Sequence, residues 1–87
     1  MYQNRILTYE GLHRRIGATI TEAGFSGNNR VKCDYYKGNI CIDIYKLNNK
    51  ALQVYAWNGI GKIFDILIFT QEDLPKLTNE LNNLKKR

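Results

Sequence analysis

The side chains that could do chemistry in this 87-residue chain are His13, the cysteines Cys33 and Cys41, and the aspartates Asp34, Asp43 and Asp65. His13 is the only histidine, and no motif around it pairs a nucleophile with a base. It reads as a solvated surface histidine; the rival role is acid–base work of the kind a small ribonuclease toxin needs. The three aspartates fall on one face of adjacent strands and could gather Mg²⁺, but hairpin geometry pairs them more readily with Lys32 or water. Two cysteines eight apart and one distant histidine do not make a zinc spacing. On neighbouring strands of one hairpin the cysteines have opposite parity, so their side chains are expected to diverge and no disulfide to join them. Gly59-Ile60-Gly61 lacks the strand-then-helix context of a phosphate loop and reads as a turn. A non-enzymatic protein without metal or cofactor is the expectation.

Charge and aromatic residues say more. Lys plus Arg number 13 against 8 Asp plus Glu, a formal charge of +5 that favours anionic partners. The first 50 residues hold 8 of the basic and 4 of the acidic side chains. There, Lys32, Tyr35-Tyr36-Lys37, Tyr45-Lys46 and Lys50 interleave cations with rings, and Tyr55 and Trp57 follow. Single-stranded nucleic acid is held in this way, by cations on phosphates and by bases stacked on aromatic faces at about 1–3 kcal/mol each. The candidate contacts are Lys32, Tyr36, Lys37, Tyr45, Lys46 and Lys62. The plainer reading is that tyrosine and lysine are ordinary residues on a half-exposed strand.

These residues need a scaffold, and the pattern supplies one. Thr8 can cap a helix with the stripe Tyr9, Leu12, Ile16, Ile20 and Ala23, ended by Gly24 in a left-handed conformation with Phe25 packing behind it. Ser26-Gly27-Asn28-Asn29 reads as a loop. From Arg30 the period becomes two, and strands are expected at 30–36, 40–46, 51–57 and 62–69. A first hairpin centred on Gly38-Asn39 sets Asp34 against Asp43; centring it on Lys37-Gly38 sets Lys32 against Asp43 and avoids the like-charge penalty. The second register is therefore the expectation. Two-residue turns carried through the meander put Val31, Cys33, Tyr35, Ile40, Ile42, Ile44, Tyr55, Trp57, Phe64, Ile66 and Ile68 on the core face. They put Lys32, Asp34, Tyr36, Cys41, Asp43, Tyr45, Leu52, Val54, Ala56, Ile63, Asp65, Leu67 and Phe69 on the other. The apolar part of that second face wants a cover, and a homodimer is the simplest one. Thr70 then caps a last helix with the seam Leu74, Leu77, Leu81 and Leu84, and Pro75 sits in its first turn. The expected fold is one α+β domain over 1–87, ordered α-β-β-β-β-α, a four-stranded antiparallel meander with both helices on one face.

Two stretches carry a resemblance. Val31 through Tyr45, with its Tyr36-Lys37-Gly38 turn and its Ile42-Asp43-Ile44 strand, resembles the strand–turn–strand of the positive-cofactor-four type of transcriptional coactivators. Ile68 through Leu81 is similar to that family's last strand running into its helix. The resemblance implies a dimeric, curved four-stranded sheet that binds single-stranded or melted DNA, and it carries over to Tyr36 and Lys37. Where the family has arginine after Asp-Ile, this chain has Tyr45.

The leading functional expectation is single-stranded nucleic-acid binding on the tyrosine- and lysine-bearing sheet face. The alternative is a phage or mobile-element interaction protein that inhibits a host nuclease or enzyme complex by occluding its surface, with the same basic face set against an acidic or nucleoprotein partner. No apolar run reaches the length of about 20 residues that a membrane span needs, and the N-terminus lacks a signal-peptide pattern, so a cytoplasmic location is expected.

Overall fold

The computed structural model describes residues 8–27, 33–48 and 50–85. Its elements run α1 (Tyr9–Glu22), β1 (Ser26–Gly27), β2 (Tyr35–Lys37), β3 (Ile40–Asn48), β4 (Ala51–Trp57), β5 (Lys62–Ile68), a single 3₁₀ turn (Gln71–Asp73) and α2 (Leu74–Lys85). The sheet is an antiparallel meander in the order β1-β2-β3-β4-β5. It thus has five strands rather than four. The extra one is a two-residue pairing of Ser26 and Gly27 with Tyr36 and Tyr35, inside the stretch expected to be a loop. Of the expected first strand, 30–36, Cys33 and Asp34 are outside any strand and Tyr35 and Tyr36 fall in β2; residues 28–32, including Val31 and Lys32, lie outside the described residues.

Both helices form where their signals stand. Thr8 accepts a hydrogen bond from the Gly11 amide at 3.0 Å, which satisfies one free N–H of the first turn. At the other end Gly24 has φ of 99°, and two reverse bonds close the helix: Gly24 N–H to Thr21 O and Phe25 N–H to Ile20 O. This is the Schellman arrangement, and Phe25 is buried behind it. Before α2, Thr70 and Asp73 make a reciprocal capping box, and Asp73 Oδ2 accepts from the amides of Phe69 (2.8 Å) and Thr70 (3.1 Å). Those two bonds hold the Asp73 carboxyl below its usual range, with Lys76 adding to the effect.

Leu12, Ile16 and Ile20 of α1 and Leu74, Leu77 and Leu81 of α2 pack on one face of the sheet, against Ile42, Leu52, Val54, Ala56, Phe64 and Ile68. Tyr35 packs across α1 at Gly17, where an added Cβ would meet its hydroxyl oxygen at 2.5 Å. A side chain at that position would force the Tyr35 ring to shift, so a residue weak in helix propensity stands there.

The faces of β2, β3 and β5 are as expected, but β4 is turned over. Leu52, Val54 and Ala56 lie in the core, whereas Tyr55 and Trp57 are on the side away from the helices. The cause is a register shift between Lys46 and Asn48: Asn48 pairs with Ala51 but Lys46 with Leu52, so Leu47 is an extra residue and β4 is advanced by one. A slip of one residue inverts every side chain of a strand. A second shift, at Ala56/Trp57, restores the original parity on β5, so Phe64, Ile66 and Ile68 stay on the helix side. Of the apolar half-face that called for a dimer, Leu52, Val54 and Ala56 are covered by the protein's own helices, whereas Leu67 and Phe69 stay exposed.

The first hairpin takes the register the charge argument disfavoured. Lys37 pairs with Ile40 across Gly38-Asn39, and Gly38 at φ 61° supplies the left-handed first position of a type II′ turn. Among the described residues no helix is long and apolar enough to cross a membrane.

Candidate functional site

The face of the sheet away from the helices carries three cross-strand rows. Tyr36, Cys41 and Trp57 form one; Asp43, Tyr55 and Asp65 the next; Tyr45, Gln53 and Leu67 the third. Adjacent strands lie about 4.8 Å apart, so neighbours within a row touch. The face is therefore a patch of four aromatic rings set around carboxylates. Tyr36 and Tyr45 stand out at 42% and 50% exposure, while Tyr55 and Trp57 are half-buried beside them.

Asp43 is the anchor of this patch and, among the described residues, the one buried charged side chain, with 8% exposure. Its Oδ2 accepts from the Trp57 indole N–H at 2.8 Å, and its Oδ1 accepts from the Asp34 amide at 3.1 Å. Asp34 in turn accepts from the Ile44 amide through Oδ2 at 2.8 Å. This explains how two carboxylates sit side by side across the hairpin: each is held by N–H donors, and charge-assisted bonds of this kind offset the repulsion. Asp65 Oδ1 accepts from Gln53 Nε2 at 2.9 Å. The negative charge of Asp43, then burial, then Asp34 and Tyr55, push the Tyr45 phenol above its ordinary value.

The cysteines are neighbours. The Cys33 and Cys41 thiols are within hydrogen-bonding reach of each other, contrary to the divergence expected from parity. The chain leaves the sheet before Tyr35, at Cys33-Asp34, so alternation no longer governs where Cys33 points. Burial, the bond to Cys41 and the nearby carboxylates of Asp43 and Asp34 push the Cys33 thiol up to about 12, which keeps it protonated and a poor nucleophile.

The candidate nucleic-acid contacts separate. Tyr36 and Tyr45 stand on the outer face. Lys37 and Lys46 are on the helix side: Lys37 Nζ donates to Ala23 O at 3.4 Å and lies 5.8 Å from the Phe25 ring centroid, and Lys46 Nζ lies 4.5 Å from that of Tyr9. Six residues of β3 between these levels span about 20 Å and the fourteen residues of α1 about 21 Å, so the two lysines meet opposite ends of that helix. Lys37 at the C-terminal end also complements the helix dipole. Lys62 is exposed at the start of β5, paired with Trp57, and Lys32 lies outside the described residues. Among the described residues the outer rows hold the carboxylates Asp43 and Asp65, and one cation, Lys62, at the Trp57 end of the first row.

His13 is half-buried on α1 with its ring 6.0 Å from Tyr9, away from the outer face. Among the described residues no group of three or more His, Cys, Asp or Glu could hold a metal. Parity carried through the turns missed Tyr55, Trp57 and Gln53 as outer-face residues. The signal lay inside β4 itself, where Leu52, Val54 and Ala56 are wholly apolar and alternate with three residues that carry a polar atom. Compared with protein-family models, curated proteins and solved structures, the chain matches none.

Proposed function

We propose that the protein is a non-enzymatic interaction module whose outer sheet face docks on, and occludes, a basic surface of a nucleic-acid-handling enzyme or complex, as a phage or mobile-element inhibitor would. One observation carries the reading. Tyr36, Tyr45, Tyr55 and Trp57 surround carboxylates on that face, while Lys37 and Lys46 are engaged on the opposite side. Rings beside fixed negative charges offer a nucleic-acid-binding surface what its own ligand offers, namely flat apolar area and anions. Aromatic anchors are also the side chains that dominate protein interfaces.

Single-stranded nucleic-acid binding is the second reading, favoured by the exposed rings of Tyr36 and Tyr45, which are placed to stack on bases. Two arms of one experiment separate them. Tagged protein is incubated with nuclease-treated host lysate, and, separately, titrated with a labelled oligothymidylate of about 20 nucleotides at about 50 mM salt. Occlusion predicts a basic partner, captured in stoichiometric amount after nuclease treatment, released by salt, and lost with Tyr36→Ala/Tyr45→Ala. Oligonucleotide binding that falls steeply with salt, with no such partner, overturns it in favour of the second reading.

A further inference from the structure

The two edges of the sheet differ. On one side, among the described residues, β1 is two residues long, a short edge. On the other, β5 runs for seven residues and pairs with β4 alone among the described strands. An open groove of about 560 Å³ follows it, lined by Asp65, Ile66, Leu67 and Phe69 from the strand and by Lys76, Asn79 and Glu80 from α2. A concavity that touches side chains from both faces of one strand, and from the helix beside it, must run along that strand's free edge. The edge is also apolar: Leu67 is 43% and Phe69 52% exposed, and no proline interrupts it.

We propose that this edge is closed by the β5 strand of a second copy, paired antiparallel about a two-fold axis at Ile66, to give one continuous sheet with all four helices on the same side. The pattern of the edge is self-complementary in that register. Ile66 meets itself, Phe64 meets the second copy's Ile68, and Asp65 meets the second copy's Leu67. The register centred one residue earlier would oppose Asp65 to Asp65 and is penalised. Even parity is needed to keep the two apolar faces on the same side, so this choice is one of very few. The helix layer agrees. Lys76 and Glu80 stand one turn apart on the groove side of α2, and a two-fold axis runs the two copies of α2 antiparallel. The cation of each copy then faces the anion of the other. Lys76 is placed to do so, being 68% exposed in its side chain and engaged, among the described residues, in a surface i,i+3 pair with Asp73 at 3.5 Å. The outer face with its tyrosines is not consumed, so one assembly would carry two copies of the docking patch.

Sedimentation equilibrium of the full chain over a range of concentrations tests this. Wild type is expected at twice the 10.1 kDa chain mass. Leu67→Lys and Lys76→Glu should each raise the dimer dissociation constant about tenfold or more. The swapped pair Lys76→Glu/Glu80→Lys should recover wild-type dimerisation, which a folding defect would not do; circular dichroism of each variant checks the fold. A wild-type protein that stays monomeric at about 100 μM, or a dimer that neither Leu67→Lys nor Lys76→Glu weakens, overturns the proposal.

Discussion

Trp57 donates its indole N–H to Asp43 across the outer face of the sheet, 2.8 Å from nitrogen to oxygen, and so joins β4 to a nearly buried carboxylate on β3. The bond exists only because β4 is turned over. In the unshifted register Trp57 would enter the core and Asp43 would lose a donor that reaches it from a neighbouring strand. Asp43 would then be a desolvated anion held by one backbone amide.

Removing the indole donor has a defined cost. Trp57→Phe keeps an aromatic ring on the face but leaves Asp43 Oδ2 without its partner, so unfolding by urea should register a loss of about 1–3 kcal/mol. Tyr55→Phe, two residues away on the same strand and face, makes a control for ring chemistry. A Trp57→Phe protein as stable as wild type would show that the bond contributes nothing.

Cys33 should be inert while the protein is folded. With its thiol pushed up to about 12 against an ordinary 9.0, it stays protonated at pH 8 and should resist iodoacetamide until the chain is unfolded. The linkage has a definite sign. The folded thiol holds its proton more tightly than the unfolded one, so its stabilising contribution is complete below pH 9 and fades as pH rises toward 12. Cys33→Ser should flatten the alkaline arm of a stability profile; an unchanged arm contradicts the assignment.

The hinge between β5 and α2 depends on Asp73. Asp73→Ala leaves the amides of Phe69 and Thr70 without their shared acceptor and should cost about 1 kcal/mol, up to about 2, in thermal or chemical unfolding. Because the carboxyl is held below its ordinary 3.8, its contribution is present above that pH and is lost as pH falls through the lowered value. The wild-type and Asp73→Ala curves should therefore converge in acid.

Local signals in the sequence were legible, and long-range register was not. Thr8, Gly24, Thr70 and the leucine seam act within one or two turns of helix, and each element stands where its residues place it. The face of β4 depends instead on one extra residue near Leu47, between Lys46 and Asn48, whose effect propagates through the whole strand. Hydropathy within β4 pointed the right way, but parity counted through an assumed two-residue turn overrode it. The hairpin register failed for a different reason. Pairwise charge counting at Asp34 and Asp43 ignored the backbone and indole N–H groups that solvate them. Of the interface candidates, Tyr36 and Tyr45 kept their face. Lys37 and Lys46 follow the strict alternation that puts them with Tyr35 and Ile44 on the helix side.

The placement of Trp57 on the outer face supports both the docking patch and the fold beneath it, and a two-dimensional NOE spectrum of the protein in water reads it directly. The indole N–H proton of Trp57, the only tryptophan, is expected to show cross-peaks to the Cys41 side chain and the Asp34 amide, while Val54 methyls contact Ile66 and the core. Cross-peaks from the Trp57 ring to Ile16, Ile20 or Leu77, with Val54 methyls free of core contacts, would contradict the account.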